Sequence, residues 1–526
     1  MILNFTKFEP SFATNIKKNK YINQTGLNFL GNKPDQNLIS PELAKVFAIK
    51  QGFNPKLSVN LNNINPISFI GKSKSPFELR GVIEGYYGNP YSIQERDDLL
   101  KFMSKYKFNI YVYAPKNDPY HRELWDQPYP DKYMQKLVKN IKTAKDLGID
   151  FCYAISPGGK KIKYNSDEDL NKVFEKLKCF HNKGIKSFAL LFDDIPDQFA
   201  NKEDRESYTS FAQAHADFAN RLNKKLKEID PSIKLTICPT YYAGIKPFNP
   251  YLKELGSTLN KDIDIFYTGP EVCSKTISKQ DCLDFAQDAG RKPLIWDNYP
   301  VKDGDMAGEM HIKPITGRSK DLAEGVKGIL INPMDLEECS KVPIATFADY
   351  MEHPDNYNSQ KSFILALKEL AGNKNIDDLE EIINNIDYSC LNNTPSRIAN
   401  LTNKIVNGIE QGKTVSEIPE VKELDKKLYK IDEACDNVKE NITNVKMLAE
   451  FWGWIENLKR TVQIGQCAIR VLEAMEKGKP YEISLEHMDR FVLELEKLHH
   501  KTSYIELMPL VELVRNRASV ESSIVK

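Results

Sequence analysis

The hydrophobic pattern of the chain changes near residues 77 and 370, and these changes predict three regions. Residues 1–77 are rich in Asn, Lys and Ser, and we interpret them as an N-terminal segment or small module with a short helical stretch near PELAKVFAIKQG. Residues 78–370 alternate short apolar runs with longer amphipathic stretches, which predicts an α/β domain. Residues 371–526 repeat apolar residues at helical spacing, which predicts an all-helical C-terminal domain.

The middle region contains eight apolar, β-branched or aromatic runs: RGVIEGYYG, FNIYVYAP, IDFCYAISPG, IKSFALLFDDI, LTICPTYY, IDIFYTGPEV, KPLIWDNYPV and VKGILINPM. Helix signals separate most of them. Ser92 and Glu95 have the spacing of a capping box, and Gly148, Gly184 and Gly290 stand where helices should end. Strand and helix in alternation predict a closed parallel (β/α)₈ barrel. The rival fold, an open doubly wound sheet, lacks its GxGxxG turn after the first run.

Apolar residues between 431 and 455 predict a helical bundle in the C-terminal domain. The aromatic cluster FWGW at 451–454 has two interpretations, a platform for a sugar or peptide and a packed core between helices. We favour the packed core, because large apolar side chains are most often buried.

Charge and cysteine content narrow the possible functions. Lys+Arg and Asp+Glu both total 73, so there is no electrostatic reason to propose nucleic acid or an anionic membrane as the partner. Nine cysteines without CxxC or His-interleaved spacing predict reduced thiols. No signal peptide or membrane-spanning segment is recognisable, which predicts a cytoplasmic protein by default, although leaderless export would leave the same pattern. The sequence does not specify the oligomeric state.

Barrel enzymes bind their substrates at the C-terminal ends of the strands, and polar residues concentrate there in this sequence. They are Glu84, Tyr87, Lys116, Asn117, Asp118, Asp193, Asp194, Tyr241, Tyr242, Glu271, Asp297, Asn298, Asp303 and Asn332.

The adjacent aspartates Asp193 and Asp194 in LLFDDIP have several interpretations. They could simply form a polar strand end that enters a turn. An ordinary retaining glycosidase needs two carboxyl groups about 5 Å apart, usually from different strands, which an adjacent pair fits poorly. Divalent metal binding would call for further carboxylates and a basic phosphate clamp. Adjacent strand residues also point to opposite faces, so both can reach one ligand only if the strand end bends, as Ile195-Pro196 favours.

Substrate-assisted glycoside hydrolysis fits the pair better, because the acetamido oxygen of the sugar is then the nucleophile. One aspartate would hold the acetamide N–H, and the other would act as general acid and base. Repulsion between the carboxylates, together with partial burial, predicts a raised pKa for one of them.

In these residues and the motifs around them, the chain resembles glycoside hydrolase family 84, the β-N-acetylglucosaminidases that include the protein O-GlcNAc hydrolases. The resemblance runs from about Arg80 to Asp355, and more loosely through the helical tail. It rests on seven motifs in family order: RGVIEGYYGNPYS, YVYAPKNDPYHRE, FDDI, CPTYY, YTGPEV, WDNYPVKD and INPM.

The resemblance implies a role for each candidate site residue. Asp193 would orient the acetamido nitrogen, Asp194 would be the general acid/base, and Tyr242 would donate a hydrogen bond near the anomeric centre. The positions that match the residues with which the family binds the sugar hydroxyls and acetamide are Gly85, Lys116, Asn298, Asp303 and Asn332. The apolar lining around the N-acetyl methyl group matches Tyr87, Cys238 and Trp296.

Some of these residues have simpler interpretations. Lys116 alone would read as a surface lysine, and Trp296 could belong to a packed layer of the barrel interior. For Tyr241 and Tyr267 we expect packing, and for His121 and Arg122 we favour a role in bracing their loop. The chain departs from the family pattern at Asn117, Tyr241 and Asp297. We expect these departures to affect the leaving-group side of the site.

The leading hypothesis is an exo-acting, retaining β-N-acetylglucosaminidase without metal or organic cofactor. Its substrate would be a β-linked N-acetylglucosamine glycoside or an O-GlcNAc-modified protein. A second hypothesis is a catalytically inactive sugar- or glycoprotein-binding protein on the same fold. A third, a metal-dependent enzyme such as a glycosyltransferase, would differ in its sensitivity to a chelator.

Overall fold

A computed structural model describes residues 75–158, 162–391 and 397–524 of the chain. The predicted N-terminal module, residues 1–77, and its helical stretch near PELAKVFAIKQG lie outside the described residues except for residues 75–77.

Eight parallel strands form a closed barrel in chain order. Each strand overlaps one of the eight apolar runs, and the first and fifth strands begin one residue before their runs, so the predicted barrel is confirmed. The strands are β1 (Leu79–Glu84), β2 (Ile110–Tyr113), β3 (Asp150–Ile155), β4 (Ser187–Leu191), β5 (Lys234–Cys238), β6 (Asp264–Tyr267), β7 (Leu294–Asp297) and β8 (Gly328–Ile331). The barrel closes where β8 pairs with β1, with Gly328 opposite Leu79.

Helices connect the strands. They are α1 (Ile93–Lys105), α2 (Asp131–Asp146), α3 (Asp167–His181), α4 (Lys202–Ser207), α5 (Phe211–Ile229), α6 (Pro250–Thr258), α7 (Lys279–Ala289) and, after β8, α8 (Glu337–Glu352). Short 3₁₀ turns lie at Gly304–Met306 and Leu322–Glu324. Ser92 and Glu95 make the predicted capping box of α1. Gly290 ends α7 in the left-handed conformation at φ 69°, which glycine adopts without steric cost.

The barrel interior is filled by apolar side chains that alternate along the strands with side chains facing the helices. Buried inside are Ile83, Val112, Ala154, Ala189, Leu191, Cys238, Phe266, Trp296 and Leu330, among others. Trp296 and Cys238 lie near the C-terminal strand ends, and Tyr242 packs against this cluster. A packed interior leaves the strand ends as the place for a ligand.

The rest of the described chain is helical, which confirms the predicted C-terminal domain class. Its helices are α9 (Ser359–Ala371), α10 (Ile376–Ile383), α11 (Arg397–Glu410), α12 (Pro419–Asn441), α13 (Val445–Glu476), α14 (Glu482–Glu496) and α15 (Tyr504–Ile524). The apolar pattern between 431 and 455 thus spans two helices with a break after Asn441. Among the described helices, none combines the length and apolar character needed to span a bilayer. The domain boundary at residues 370 and 371 stays a prediction.

Candidate active site

A cleft opens at the C-terminal ends of the strands, and all the residues predicted for the site line it. Its lining consists of Gly85, Tyr87, Lys116, Asp193, Asp194, Cys238, Tyr242, Thr268, Val272, Cys273, Trp296, Asn298, Val301, Asp303, Met306 and Asn332. The cavity volume is about 160 Å³. Pockets for drug-sized ligands usually exceed about 300 Å³, so this cleft suits a single small group.

The backbone after β4 bends so that both aspartates reach this cleft. The peptide N–H of Phe192 still donates to the carbonyl of Cys238 at 2.9 Å, which continues the sheet beyond Leu191. Asp194 then adopts the left-handed conformation at φ 53°. This conformation is uncommon for residues other than glycine, and aspartate is one of the residues that tolerate it best. The bend expected at Ile195-Pro196 therefore lies at Asp194 itself.

Lys116 lies between the two carboxylates. Its ammonium is in direct contact with Asp193 Oδ2 and lies 3.5 Å from Asp194 Oδ2. The rings of Trp296 and Tyr87 flank it, with centroids 5.4 and 5.8 Å away. Burial by itself lowers the pKa of the Lys116 ammonium, but the charges of Asp193 and Asp194 outweigh that effect and raise it. Lys116 is therefore a buried cation and not the surface lysine that the residue in isolation would suggest.

Asp194 accepts hydrogen bonds from two tyrosines. The hydroxyl of Tyr87 donates to Oδ2 at 2.8 Å, and that of Tyr242 donates to Oδ1 at 3.3 Å. Burial raises the pKa of Tyr87 to about 12, so its hydroxyl stays protonated at neutral pH.

The charge state of Asp194 differs from the expectation. Burial acts to raise the pKa of Asp194, but the charge of Lys116, the hydrogen bond from Tyr87 and the charge of Arg122 hold it below the ordinary aspartate value. This direction is opposite to the raised pKa expected for the acid member of the pair, because the Lys116 ammonium lies close to both carboxylates.

Asp193 is oriented but incompletely paired. Lys116 holds its Oδ2, whereas its Oδ1 is buried and has no hydrogen-bond partner among the residues that the structure describes. A buried carboxylate oxygen without a donor is costly, so a ligand N–H or O–H at this position would be strongly favoured.

A chain of amide groups forms the opposite side of the cleft. The N–H of Gly85 donates to Asn332 Oδ1 at 3.2 Å, and Asn332 Nδ2 donates to Asn298 Oδ1 at 2.9 Å. Asn298 Nδ2 in turn donates to the carbonyl of Val272 at 2.9 Å. These bonds fix the orientation of both side-chain amides.

Asp303 extends this polar side from the loop after β7. Its Oδ2 accepts the N–H of Tyr87 at 2.7 Å, which joins the loops after β7 and β1. Burial raises the pKa of Asp303.

The apolar floor is formed by Trp296, Cys238 and part of Gly85. Trp296 belongs both to the barrel interior and to the cleft, so its two interpretations are compatible. A Cβ at Gly85 would lie 2.3 Å from Trp296 Cζ2. Glycine is therefore required for the backbone of residue 85 to lie against this ring.

Several polar strand-end residues do not reach the cleft. Glu84 pairs with Arg96 of α1, with Nε–Oε2 at 2.8 Å. Asp118 accepts the hydroxyls of Tyr113 and Tyr129 at 2.7 Å each. These buried acids stabilise the loops around the barrel.

The three positions that depart from the family pattern lie outside the cleft lining. Asp297 is buried against Arg318, with Nε–Oδ2 at 2.9 Å. Tyr241 is partly exposed and lies on Tyr251, with ring centroids 5.3 Å apart, and Asn117 is exposed. Tyr267 is buried and stacks on Phe285 at 4.3 Å.

The sequence interpretation missed the position of Arg122. Its Nη1 donates to the hydroxyl of Tyr87 at 2.8 Å, and its guanidinium lies 5.5 Å from the centroid of that ring. His121 does brace its loop, since Nδ1 lies 2.8 Å from the carbonyl oxygen of Ala154. Burial lowers the pKa of His121 to about 3, so the imidazole is neutral.

Other lining residues were also missed, namely Thr268, Val272, Cys273, Val301 and Met306. Thr268, Val272 and Val301 lie in the motifs YTGPEV and WDNYPVKD, which was the available signal, whereas Cys273 and Met306 lie beyond those motifs. In the part of the chain that the structure describes, no group of three or more His, Cys, Asp or Glu side chains has the geometry of a metal site.

Comparison with family models gives two matches. Residues 80–384, more than half of the chain, match the model described as beta-N-acetylglucosaminidase. Residues 397–498 match the model described as hyaluronidase post-catalytic domain-like.

Comparison with known proteins gives relatives of the same kind. Protein O-GlcNAcase of Rattus norvegicus is 35% identical over 277 residues, which is 52% of this chain and 30% of the relative. The chain thus aligns with about a third of that curated relative's length.

Solved structures cover more of the chain. A mutant O-GlcNAc hydrolase of Thermobaculum terrenum is 32% identical with a TM-score of 0.77, over 85% of this chain and 97% of the other. The protein CpGH84B is 28% identical with a TM-score of 0.72, over 84% and 77% of the two chains.

Proposed function

Since this chain belongs to the beta-N-acetylglucosaminidase family, we propose that it is an exo-acting, retaining β-N-acetylglucosaminidase that uses substrate-assisted catalysis. The observation that carries the proposal is the state of the aspartate pair. Asp193 presents a buried oxygen that no donor of the described chain reaches, and the neighbouring Asp194 accepts hydrogen bonds from the hydroxyls of Tyr87 and Tyr242.

In the first step, Asp193 Oδ1 accepts the acetamide N–H of the substrate and so orients the acetamide group. The acetamide carbonyl oxygen forms a bond to the anomeric carbon while the bond to the leaving oxygen breaks, which gives a protonated oxazoline whose N–H still donates to Asp193 Oδ1. Asp194 gives its proton to that oxygen. Tyr242, whose hydroxyl points at Asp194 Oδ1, donates a hydrogen bond near the anomeric centre.

In the second step, the Asp194 carboxylate removes a proton from a water molecule. As that proton leaves, the water oxygen bonds to the anomeric carbon and the bond to the acetamide oxygen breaks, so the protonated oxazoline opens and the N-acetyl group is restored with its N–H in place. Two displacements at the same carbon retain its configuration.

Asp194 must be protonated before the first step, although its surroundings hold its pKa below the ordinary aspartate value. The hydroxyl of Tyr87 now occupies Asp194 Oδ2, the position that a leaving oxygen needs. Substrate would displace this hydroxyl and bury the carboxyl further. Both changes raise the pKa of Asp194, which prepares it as an acid.

The remaining lining supports recognition of one sugar residue. We assign the contacts to the hydroxyls and acetamide to Gly85, Lys116, Asn298, Asp303 and Asn332. Tyr87, Cys238 and Trp296 would surround the N-acetyl methyl group. A cavity of about 160 Å³ above a packed barrel favours removal of a terminal residue.

We further propose that the substrate includes O-GlcNAc on Ser or Thr of proteins. The names of the rat relative and the Thermobaculum terrenum enzyme support this assignment. The equal numbers of acidic and basic residues give no support to a nucleic-acid partner.

The test is hydrolysis of nitrophenyl β-N-acetylglucosaminide beside nitrophenyl β-glucoside, which lacks the acetamide nucleophile. We expect turnover of the first substrate only, with β-N-acetylglucosamine as the initial product by NMR and no effect of a chelator. Comparable turnover of the glucoside would contradict substrate assistance. Binding of the sugar without turnover would identify a sugar-binding protein, and inhibition by chelator would favour a metal-dependent enzyme.

A further inference from the structure

The loop after β7, residues 298–313, connects the cleft to the helical domain. Val301, Asp303 and Met306 of this β7 loop line the cleft. A few residues later, Gly308 and Glu309 contact the helical domain. The cleft and the domain contact are therefore two ends of one short segment.

Gly308 is held by two donors from the helical domain. Its carbonyl accepts the indole N–H of Trp454, on α13, at 3.2 Å and the peptide N–H of Lys501 at 2.7 Å. A Cβ at Gly308 would lie 1.9 Å from the carbonyl oxygen of His499. The two backbones are thus in close contact, and the loop fits only because residue 308 is glycine.

Glu309 provides a second connection. Its Oε1 accepts Lys501 Nζ at 2.7 Å, and its Oε2 lies 2.7 Å from His311 Nε2. The other ring nitrogen of His311 lies 2.6 Å from the carbonyl oxygen of Val301. A polar chain therefore runs from the helical domain to a residue of the cleft.

The segment between the domain contact and Asp303 is held by internal hydrogen bonds. A 3₁₀ turn covers Gly304–Met306, and the N–H of Glu309 donates to the carbonyl of Met306 at 2.8 Å. Lys302 Nζ donates to the carbonyl of Ala307 at 3.0 Å and lies 5.5 Å from the Trp454 ring. A displacement at Gly308 would consequently move Asp303.

We propose that Trp454 and Lys501 are positioning residues for glycoside hydrolysis, which fix Asp303 through the β7 loop. This inference rests on the proposed function, in which Asp303 grips the sugar. Trp454 is thereby more than a core residue of the FWGW cluster, and the helical domain forms part of the active-site architecture.

The same cluster offers a matched control. Trp452 lies on the same helix and is partly exposed, with Lys439 Nζ 4.8 Å from its ring, but it makes no hydrogen bond to the β7 loop. Trp454→Phe removes the donor to Gly308 and keeps an aromatic ring. We expect it to lower kcat/KM by about three- to tenfold, mainly through KM, whereas Trp452→Phe leaves both constants unchanged.

A double variant tests the route through Asp303. In an Asp303→Asn background, the further substitution Trp454→Phe should have little additional effect, because the group it positions is already altered. Full additivity of the two losses would overturn the proposed route. Lys501→Met, which removes the Nζ contact with Glu309, gives a second variant if Trp454→Phe folds poorly.

Hydrogen exchange of residues 301–309 provides a readout that does not depend on activity. We expect faster exchange in Trp454→Phe than in wild type and in Trp452→Phe. Unchanged exchange in Trp454→Phe would overturn the inference even in an active enzyme. If Trp454→Phe exchanges faster but the wild-type protein does not hydrolyse the glycoside, the proposed function is contradicted. The conclusion that Trp454 holds the β7 loop in place would still stand.

Discussion

Lys116 stands between the carboxylates of Asp193 and Asp194, and two aromatic rings flank its ammonium group. Two adjacent carboxylates would otherwise repel each other in a partly buried site. The charge of Lys116 offsets this repulsion and helps to hold the pKa of Asp194 below the ordinary aspartate value. Substrate binding then has to change the surroundings of Asp194 before it can act as an acid.

The first prediction concerns Lys116→Met. The charge of Lys116 favours the ionised form of Asp194, so its removal raises the pKa of Asp194. The alkaline limb of the pH profile of kcat/KM, which reports loss of the Asp194 proton, should shift to higher pH. Because Asp193 also loses its partner, we expect kcat/KM to fall by about ten- to a hundredfold. An unchanged alkaline limb would show that Lys116 does not tune the acid.

The second prediction concerns Gly85→Ala. The added Cβ would lie 2.3 Å from Trp296, so either the ring or the backbone must move. We expect a loss of about 1–3 kcal/mol in the free energy of unfolding and a larger KM for the aryl glycoside. Urea unfolding and steady-state kinetics measure the two effects. Wild-type values for both would mean that the Trp296 ring can shift without cost.

At this scale the sequence predicted the position of the site residues but not their charge state. Ordered motifs were sufficient to place Lys116 and the aspartates at strand ends. The contact between Lys116 and Asp193 joins residues that follow different strands, and no local pattern encodes it. Arg122 was underestimated for the same reason, because its partner Tyr87 is distant in sequence.

At the scale of elements, the strand ends divide their polar residues between two tasks. Asn298 faces the cleft, whereas its neighbour Asp297 is buried against Arg318. In the same way, Gly85 faces the cleft, whereas its neighbour Glu84 forms a buried ion pair with Arg96. Neighbouring residues at a strand end point to opposite sides, so alternation decides which residue meets a ligand.

The third prediction tests this division with Asp297→Asn. The substitution leaves the buried guanidinium of Arg318 without a counter-charge, which should cost about 3 kcal/mol in the free energy of unfolding. Asp305→Asn, at an exposed site of the following loop, is the control and should be neutral. Chemical denaturation of both variants measures the difference. Equal stability of the two variants would contradict a structural role for Asp297.

The strands themselves were predictable, because parallel strands covered on both faces are nearly continuous apolar runs. Which of two neighbouring side chains at a strand end faces the cleft was not predictable. It depends on where the strand stops and how the loop turns, as the left-handed conformation of Asp194 illustrates. The polar strand-end residues predicted from the sequence therefore included both cleft residues and buried residues that stabilise the loops.

At the scale of the whole molecule, the helical domain completes a helix of the barrel. Helix α8 has no side-chain N-cap of its own at Leu336. Glu450 of α13 instead accepts the N–H groups of Glu338 and Cys339 at 3.2 and 2.8 Å. Burial raises the pKa of Glu450 to about 7. A carboxyl group from one domain thus caps a helix of the other.

The fourth prediction concerns Glu450→Ala. Without the carboxyl group, two peptide N–H groups at the start of α8 lose their acceptor, and the free energy of unfolding should fall by about 1–2 kcal/mol. Urea denaturation at constant pH measures the loss. Stability equal to wild type would indicate that these groups find another acceptor and that the interdomain cap is dispensable.

The sequence predicted a barrel and a helical domain but not how they contact each other. Periodicity reports which face of a helix is buried, not which element buries it. The FWGW cluster was interpreted as a packed core, and Phe451 and Trp454 are buried. The bond from Trp454 to Gly308 could not be foreseen, because it joins residues of two domains.

The central claim is the division of labour between Asp193 and Asp194, and leaving-group dependence tests it most directly. Hydrolysis of β-N-acetylglucosaminides with a dinitrophenyl and a methoxyphenyl leaving group would be compared for wild type, Asp194→Asn and Asp193→Asn. Asp194→Asn should keep much of its rate on the dinitrophenyl substrate, which needs no acid, and lose it on the other. Asp193→Asn should lose rate on both, because the acetamide nucleophile is no longer oriented. Rescue of Asp193→Asn by the activated leaving group, or equal losses for Asp194→Asn on both substrates, would contradict the account.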